Sequence, residues 1–100
     1  RPVSEISAMA SRLSPVLQEV LGGKFEVQTI ACESQIGSGA APTRHIPSAG
    51  IAIRPGSARL AARLRALPVP VIGRLQEGAL VLDLRCLESE AAFVAQLERL

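Results

Sequence analysis

The sequence predicts an α+β domain in which helices pack against a mainly antiparallel sheet. Three observations point there. Apolar residues recur every three to four positions from Val3 to Leu21, the spacing of one helical face. From Phe25 onward they change to the alternation of strands. Two later apolar runs flank Glu77-Gly78 in the manner of a hairpin. One hundred residues is the size of one small domain, so residues 1–100 are read as a single unit with one core.

The first helix carries Val3, Ile6, Met9, Ala10, Leu13, Val16, Leu17, Val20 and Leu21 on one stripe and stops at Gly22-Gly23. Pro15 lies inside that stripe. It either kinks the helix or, with Ser14 as a cap, starts a second short one. In the strand that follows, Phe25, Val27 and Thr29 share one parity, while Ile30, Cys32 and Ser34 share the other. A change of parity predicts a bulge or a break near Thr29. Gly37-Ser38-Gly39-Ala40-Ala41-Pro42 is a loop. Pro47 opens a second strand through Ile51, Ala52 and Ile53, apolar enough to be buried on both faces.

Pro55-Gly56-Ser57 is a turn with Ser57 as the N-cap of a helix. Leu60, Ala61, Leu64 and Leu67 mark the inner face of this helix, and Arg59, Arg63 and Arg65 its outer, solvated face. Pro68-Val69-Pro70 ends it. Val71–Leu75 and Ala79–Leu84 form the hairpin, with Leu80, Leu82 and Leu84 on one face and Val81, Asp83 and Arg85 on the other. Glu88 and Glu90 suit the positive N-terminus of a last helix, whose buried side is Phe93, Val94 and Leu97.

Composition narrows the function. Phe25 and Phe93 are the only aromatic residues, so aliphatic side chains must fill the core. No apolar tract of about 18 residues is present, which excludes a transmembrane helix, and no signal peptide is visible. The chain opens Arg1-Pro2 without an initiator methionine, as expected of an engineered or processed piece or of a domain cut from something longer. Ten arginines and the single lysine, Lys24, face nine acids, giving a net charge of +2. These charges are scattered, and a nucleic-acid module would show a denser basic patch interleaved with aromatics. Cys32 and Cys86 form neither a C-x-x-C pair nor a disulfide framework and read as reduced core thiols.

Active-site signatures are mostly missing. His45 is the only histidine and has no ligand partner at metal-site spacing, so no metal is expected. There is no G-x-S-x-G elbow and no Walker loop. Lys24 follows two glycines at an element boundary, with nothing to suggest a pocket for a Schiff base. Two features carry some chemistry. Gln35, Gly37 and Gly39 make a segment that is either an ordinary connection or one whose backbone amides approach a ligand. Arg74 and Arg85 sit in otherwise apolar strands, where a guanidinium calls for a fixed anion. With the turn at Glu77-Gly78, Arg74 faces Val81 and lies diagonal to Asp83. An Arg74–Asp83 pair on the sheet is therefore the structural alternative.

Ser34-Gln35-Ile36-Gly37-Ser38-Gly39 with Pro42, then Ile46-Pro47-Ser48-Ala49, resembles one signature of bacterial selenocysteine synthase (L-seryl-tRNA(Sec) selenium transferase). Leu67-Pro68-Val69-Pro70-Val71-Ile72-Gly73-Arg74 is similar to a second, and Leu82-Asp83-Leu84-Arg85-Cys86-Leu87 to a third. The three occur in the family's order, and the resemblance spans essentially the whole chain. It implies the small C-terminal domain of a fold-type-I pyridoxal-phosphate enzyme that converts seryl-tRNA(Sec) to selenocysteinyl-tRNA(Sec) with selenophosphate. It also implies a cofactor lysine in an upstream domain, so that the piece alone carries no catalytic residue, binds no cofactor covalently and is inactive. A cytoplasmic homo-oligomer, decameric in the bacterial type, is implied as well. Gln35, Gly37, Gly39 and Pro42 match the loop bordering the cleft. Arg74 and Arg85 match the family's two arginines, and either could meet the acceptor end or selenophosphate. The rival reading is a stand-alone α+β regulatory or protein-interaction domain. A basic RNA-binding module is a weaker third, since no aromatic stacking platform exists.

Overall fold

A computed structural model of the chain describes residues 2–36, 44–85 and 87–100. In order, these form α1 (Val3–Leu21), β1 (Glu26–Ile36), β2 (Arg44–Arg54), α2 (Ala58–Arg65), β3 (Arg74–Gln76), β4 (Ala79–Asp83) and α3 (Glu90–Gln96), closed by a short 3-10 turn, Leu97–Arg99. The strands make one antiparallel sheet in the order β1-β2-β4-β3. The α+β expectation holds, with the helices gathered on one face of the sheet.

α1 runs unbroken through Pro15, so of the two alternatives the separate second helix does not form. Pro15 has no N–H to give, and the Ser14 hydroxyl, instead of capping a new helix, donates to the Ala10 carbonyl at 2.9 Å. Ile6, Met9, Ala10, Leu13 and Leu17 are buried. They meet Ala49, Ile51 and Ile53 of β2, Leu80 and Leu82 of β4, and Phe93 and Leu97 in the main core. Gln18 fastens the end of α1 to the sheet: its amide donates to the Phe25 carbonyl at 2.8 Å and accepts from Val27 N–H at 3.0 Å.

The bulge expected near Thr29 is absent. β1 and β2 pair one-to-one from Glu26–Arg54 to Ile36–Arg44. The change of parity has a different cause, because both faces of β1 carry apolar residues. Phe25 and Val27 join the core under the helices, whereas Ile30 joins a smaller cluster of Ala52, Ala79 and Val81 on the opposite face. β2 is buried on both faces from Ser48 to Ile53, as its composition predicts.

Ser57 caps α2, accepting from Leu60 N–H at 3.1 Å, and Leu60, Ala61 and Leu64 turn inward. The hairpin forms in the expected register, Arg74 opposite Val81, and turns through Glu77 at φ 50° and Gly78 at φ 78°. Two consecutive positive φ values make the type I′ geometry that matches strand twist, and Gly78 supplies one of them without strain. β3 is shorter than expected, because Val71 N–H bonds back to the Leu64 carbonyl at 3.0 Å.

Ser89 caps α3. Its buried side is Phe93 with Gln96, not Val94, which is 39% exposed. Gln96 is buried for a reason. Its amide accepts from Val69 N–H at 2.9 Å and donates to the Val69 carbonyl at 2.8 Å, pairing the Pro68–Pro70 segment as a neighbouring strand would. Gln96→Leu should leave both Val69 groups without a partner and cost about 1–3 kcal/mol. A thermal melt followed by circular dichroism should then fall by roughly 5–15 °C for a chain of this size. An unchanged melt would show that water serves Val69 equally well.

Candidate functional site

The face of the sheet opposite the helices holds an open trough of about 660 Å³. Every residue lining it comes from a strand or from the Glu77 turn. Its floor is small and apolar, with Ala52, Ala79 and Val81 buried and Ile30 beside them. Its rim is polar: Glu33 from β1, Arg54 from β2, Arg74 and Gln76 from β3, and Glu77.

Arg74 organises this rim. Its Nε donates to the Gln76 side-chain carbonyl at 3.0 Å, and its Nη2 donates to the main-chain carbonyl of Glu33 at 3.2 Å. β3 and β1 are the two edges of the sheet, and in a flat sheet they would stand about 14 Å apart, beyond an arginine's reach. The contact therefore requires the sheet to coil toward its open face. Both acceptors are neutral, so they fix the guanidinium without cancelling its charge. No ion pair between Arg74 and Asp83 forms among the described residues, and the structural alternative weighed for Arg74 falls.

Asp83 serves a different cluster. One oxygen accepts from the Ser48 hydroxyl at 2.7 Å and from Arg85 N–H at 3.0 Å. Arg85 also donates through Nη2 to the Pro47 carbonyl. This ties the end of β4 to β2 next to Ser48, which is 2% exposed. Arg85 does not line the trough, so the two sequence-predicted arginines are separated: Arg74 on the rim, Arg85 in the strand-end cluster. Across the ladder from Ser48 lies Cys32, which does line the trough. Burial raises its thiol pKa, and the Asp83 charge raises it further. Arg74, a hydrogen bond with Ser48 and Arg85 act in the opposite direction.

Of the other predicted residues, Gln35 pairs with His45 near the end of the β1–β2 ladder, and its side chain lies outside the described set. Gly37, Gly39 and Pro42 lie outside the described residues. The sequence reading of Cys32 as a core thiol is corrected, since it is half-buried on the open trough, and sequence reasoning missed Ser48, Glu33, Arg54 and Gln76. Ser48 left a legible signal, since a hydroxyl inside a run buried on both faces needs a partner. Among the described residues no group of three or more His, Cys, Asp or Glu is placed to hold a metal ion, and no helix is long and apolar enough to cross a membrane.

Fold and trough together define a two-layer α+β domain, with one sheet face packed under helices and the other open and edged by charged and polar residues of both signs. Comparison with known proteins gives this class a family. The sequence model of L-seryl-tRNA selenium transferase matches residues 1–88. L-seryl-tRNA(Sec) selenium transferase of Methylocella silvestris is 47% identical over 105 aligned positions, which cover 100% of this chain and 22% of the relative. The proteins of the same name from Klebsiella pneumoniae and Escherichia coli are 49% and 47% identical, covering 99% and 97% of the chain and 22% of each relative. The chain belongs to the L-seryl-tRNA selenium transferase family, and it spans about a fifth of the length of the curated relatives it matches.

The Cys32 environment is open to a direct check. Alkylation by iodoacetamide, mapped by peptide mass spectrometry to separate Cys32 from Cys86, should show a rate-against-pH midpoint above that of an unperturbed cysteine. Asp83→Asn should move the midpoint part of the way down and no further, since burial is the larger cause. A wild-type midpoint at or below the ordinary value would contradict this environment.

Proposed function

We infer that this chain is the C-terminal domain of a pyridoxal-phosphate-dependent transferase that converts seryl-tRNA(Sec) to selenocysteinyl-tRNA(Sec), with selenophosphate as selenium donor. Family membership supports the overall reaction. The observation that carries the site is Arg74, a guanidinium held by two neutral acceptors over an apolar floor, with no carboxylate at ion-pair distance among the described residues.

The cofactor belongs elsewhere in the full-length enzyme. A lysine that forms a Schiff base needs an enclosed pocket. Lys24 is exposed in the turn between α1 and β1, at the edge of two surface depressions. The residues present do not fit the group, and the chain by itself is catalytically inert. Its own contribution is to bind and orient. Gln76 and the Glu33 carbonyl fix the plane of the Arg74 guanidinium, which leaves a fork suited to phosphoryl oxygens. The apolar floor strengthens that charge relative to water. Arg85, bonded to Pro47, takes the structural part. The reading also carries a cytoplasmic homo-oligomer, decameric as in the bacterial type. The stand-alone regulatory or interaction domain loses ground, because relatives at this identity carry the same stretch within proteins several times longer.

In the full-length enzyme, Arg74→Ala should lower kcat and kcat/KM together, by roughly ten- to a hundredfold. That is the loss of one charge-assisted contact, about 1.5–3 kcal/mol, made in the reacting complex. Its melt should stay at the wild-type value. Asp83→Ala should do the reverse, lowering the melt because Ser48 and Arg85 N–H lose their acceptor. Steady-state kinetics and melts on the two variants decide, and wild-type turnover in Arg74→Ala would remove the site.

A further inference from the structure

Away from the trough, the fold gathers cations that look dispersed in the sequence. Lys24, from the turn after α1, joins Arg59 and Arg63, from the outer face of α2, around a groove of about 340 Å³. Its apolar side is formed by Val20, Leu21 and Phe25, and Leu100, the last residue, lines it too. All three cations are exposed. None has a carboxylate at ion-pair distance among the described residues, and the Arg12–Glu90 pair lies elsewhere on the surface. Arg59 and Arg63 stand four apart on one helix, where like charges oppose helix formation. α2 has no acidic residue in its first turn to offset them. Arg63 sits in the last turn of α2, where the helix's negative end favours it, but Arg59 at the start has no such support, and that points to a charge supplied from outside.

The spacing narrows what that partner is. Phe25 in the groove and Glu33 on the trough rim are eight positions apart on the extended chain of β1, about 26 Å at ~3.3 Å per residue. One small anion bound at Arg74 cannot also answer these three cations, whereas a polyanion can. The groove offers cations and aliphatic side chains, with Phe25 half-buried against the core. It therefore suits backbone phosphates rather than stacked bases.

We propose that Lys24, Arg59 and Arg63 form a sequence-independent contact for the phosphodiester backbone of the RNA substrate, remote from the trough. This rests on the reading above that the substrate is an aminoacylated tRNA.

The test uses the full-length enzyme carrying the triple variant Lys24→Gln/Arg59→Gln/Arg63→Gln. Binding of a tRNA(Sec) transcript and of an unrelated tRNA is measured between 50 and 300 mM KCl, with turnover of seryl-tRNA(Sec) in parallel. The expected result is a Kd for both RNAs raised at least tenfold at low salt. The slope of log K against log salt should be about 2–3 shallower, close to one unit per lost contact. KM for seryl-tRNA(Sec) should rise while kcat at saturation stays put. The charge-preserving variant Lys24→Arg/Arg59→Lys/Arg63→Lys should keep the wild-type slope, and the single variants Arg59→Gln and Arg63→Gln give partial effects if the triple variant folds poorly. Wild-type Kd and slope in the glutamine variants overturn the proposal. So does a changed oligomeric state with an unchanged RNA slope, which would assign the groove to a protein contact. An enzyme that binds tRNA through these residues but does not convert seryl-tRNA(Sec) would sink the functional reading and leave the contact standing. Conversion with no dependence of binding on the three cations would do the opposite.

Discussion

The close approach of β4 to β2 at Gly50 is the constraint from which the two faces of this domain follow. A Cβ built at Gly50 would lie 2.1 Å from the Leu82 carbonyl oxygen, with the Asp83 Cα also within 3.2 Å. Those are backbone atoms and cannot swing away, so only glycine admits β4 so near. The approach sits midway along β2, opposite Ile30 of β1. It lets the sheet coil enough for Arg74 on one edge strand to reach the Glu33 carbonyl on the other. With the strands held together there, Leu80 and Leu82 point into the helical core while Val81 floors the trough. One backbone contact therefore sets both the hydrophobic layer and the position of its polar opposite.

The two faces are stabilised by different means. Under the helices, aliphatic side chains with little exposure bury against one another, and the favourable term is apolar area removed from water. On the open face the apolar floor is too small for that, and the exposed hydrogen bonds that Arg74 makes to Gln76 and the Glu33 carbonyl orient the rim while adding little to stability. The strand ends use a third device. Asp83 takes both the Ser48 hydroxyl and Arg85 N–H, so a half-buried carboxylate satisfies a buried hydroxyl and ends the strand in one step. The exposed Arg12–Glu90 pair joins α1 to α3, but in water a contact of that kind adds little.

The sequence made the elements legible where a single physical signal dominated. The α1 stripe, the Ser57 cap, the doubly buried β2 and the Glu77-Gly78 turn were all readable. The phantom bulge at Thr29 came from assigning one buried face to a strand that has two, and a sequence does not state how many layers a sheet will meet. Gln96 was passed over because a glutamine on a helix is usually solvated. Its role depends on Val69, twenty-seven positions away in the chain. The same limit hid the site. Arg74 was legible as an arginine among apolar residues, but its acceptor at Glu33 depends on the coil of the sheet. Hairpin geometry offers Asp83 as one possible partner for Arg74, whereas Asp83 takes the Ser48 hydroxyl of β2, a strand outside the hairpin.

The charges make the same point about what this domain leaves unfinished. A chain of net charge +2 has acids enough to pair most of its cations, yet Arg74 is met by neutral groups and Lys24, Arg59 and Arg63 by no carboxylate at pairing distance among the described residues. On the apolar side, Val69, Ile72 and Leu75 are 54%, 67% and 55% exposed along the stretch that leads from α2 into the hairpin. Scattered apolar side chains on a surface are ordinary, but three within seven residues form a strip of the kind that marks contact. Unpaired cations and an uncovered apolar strip on separate parts of one small domain differ in what they need. The first calls for phosphate and loses strength in salt, while the second calls for packing and does not. Salt dependence therefore separates a surface built for phosphate from one built for packing, and it does so without any knowledge of the remaining four-fifths of the relatives' length.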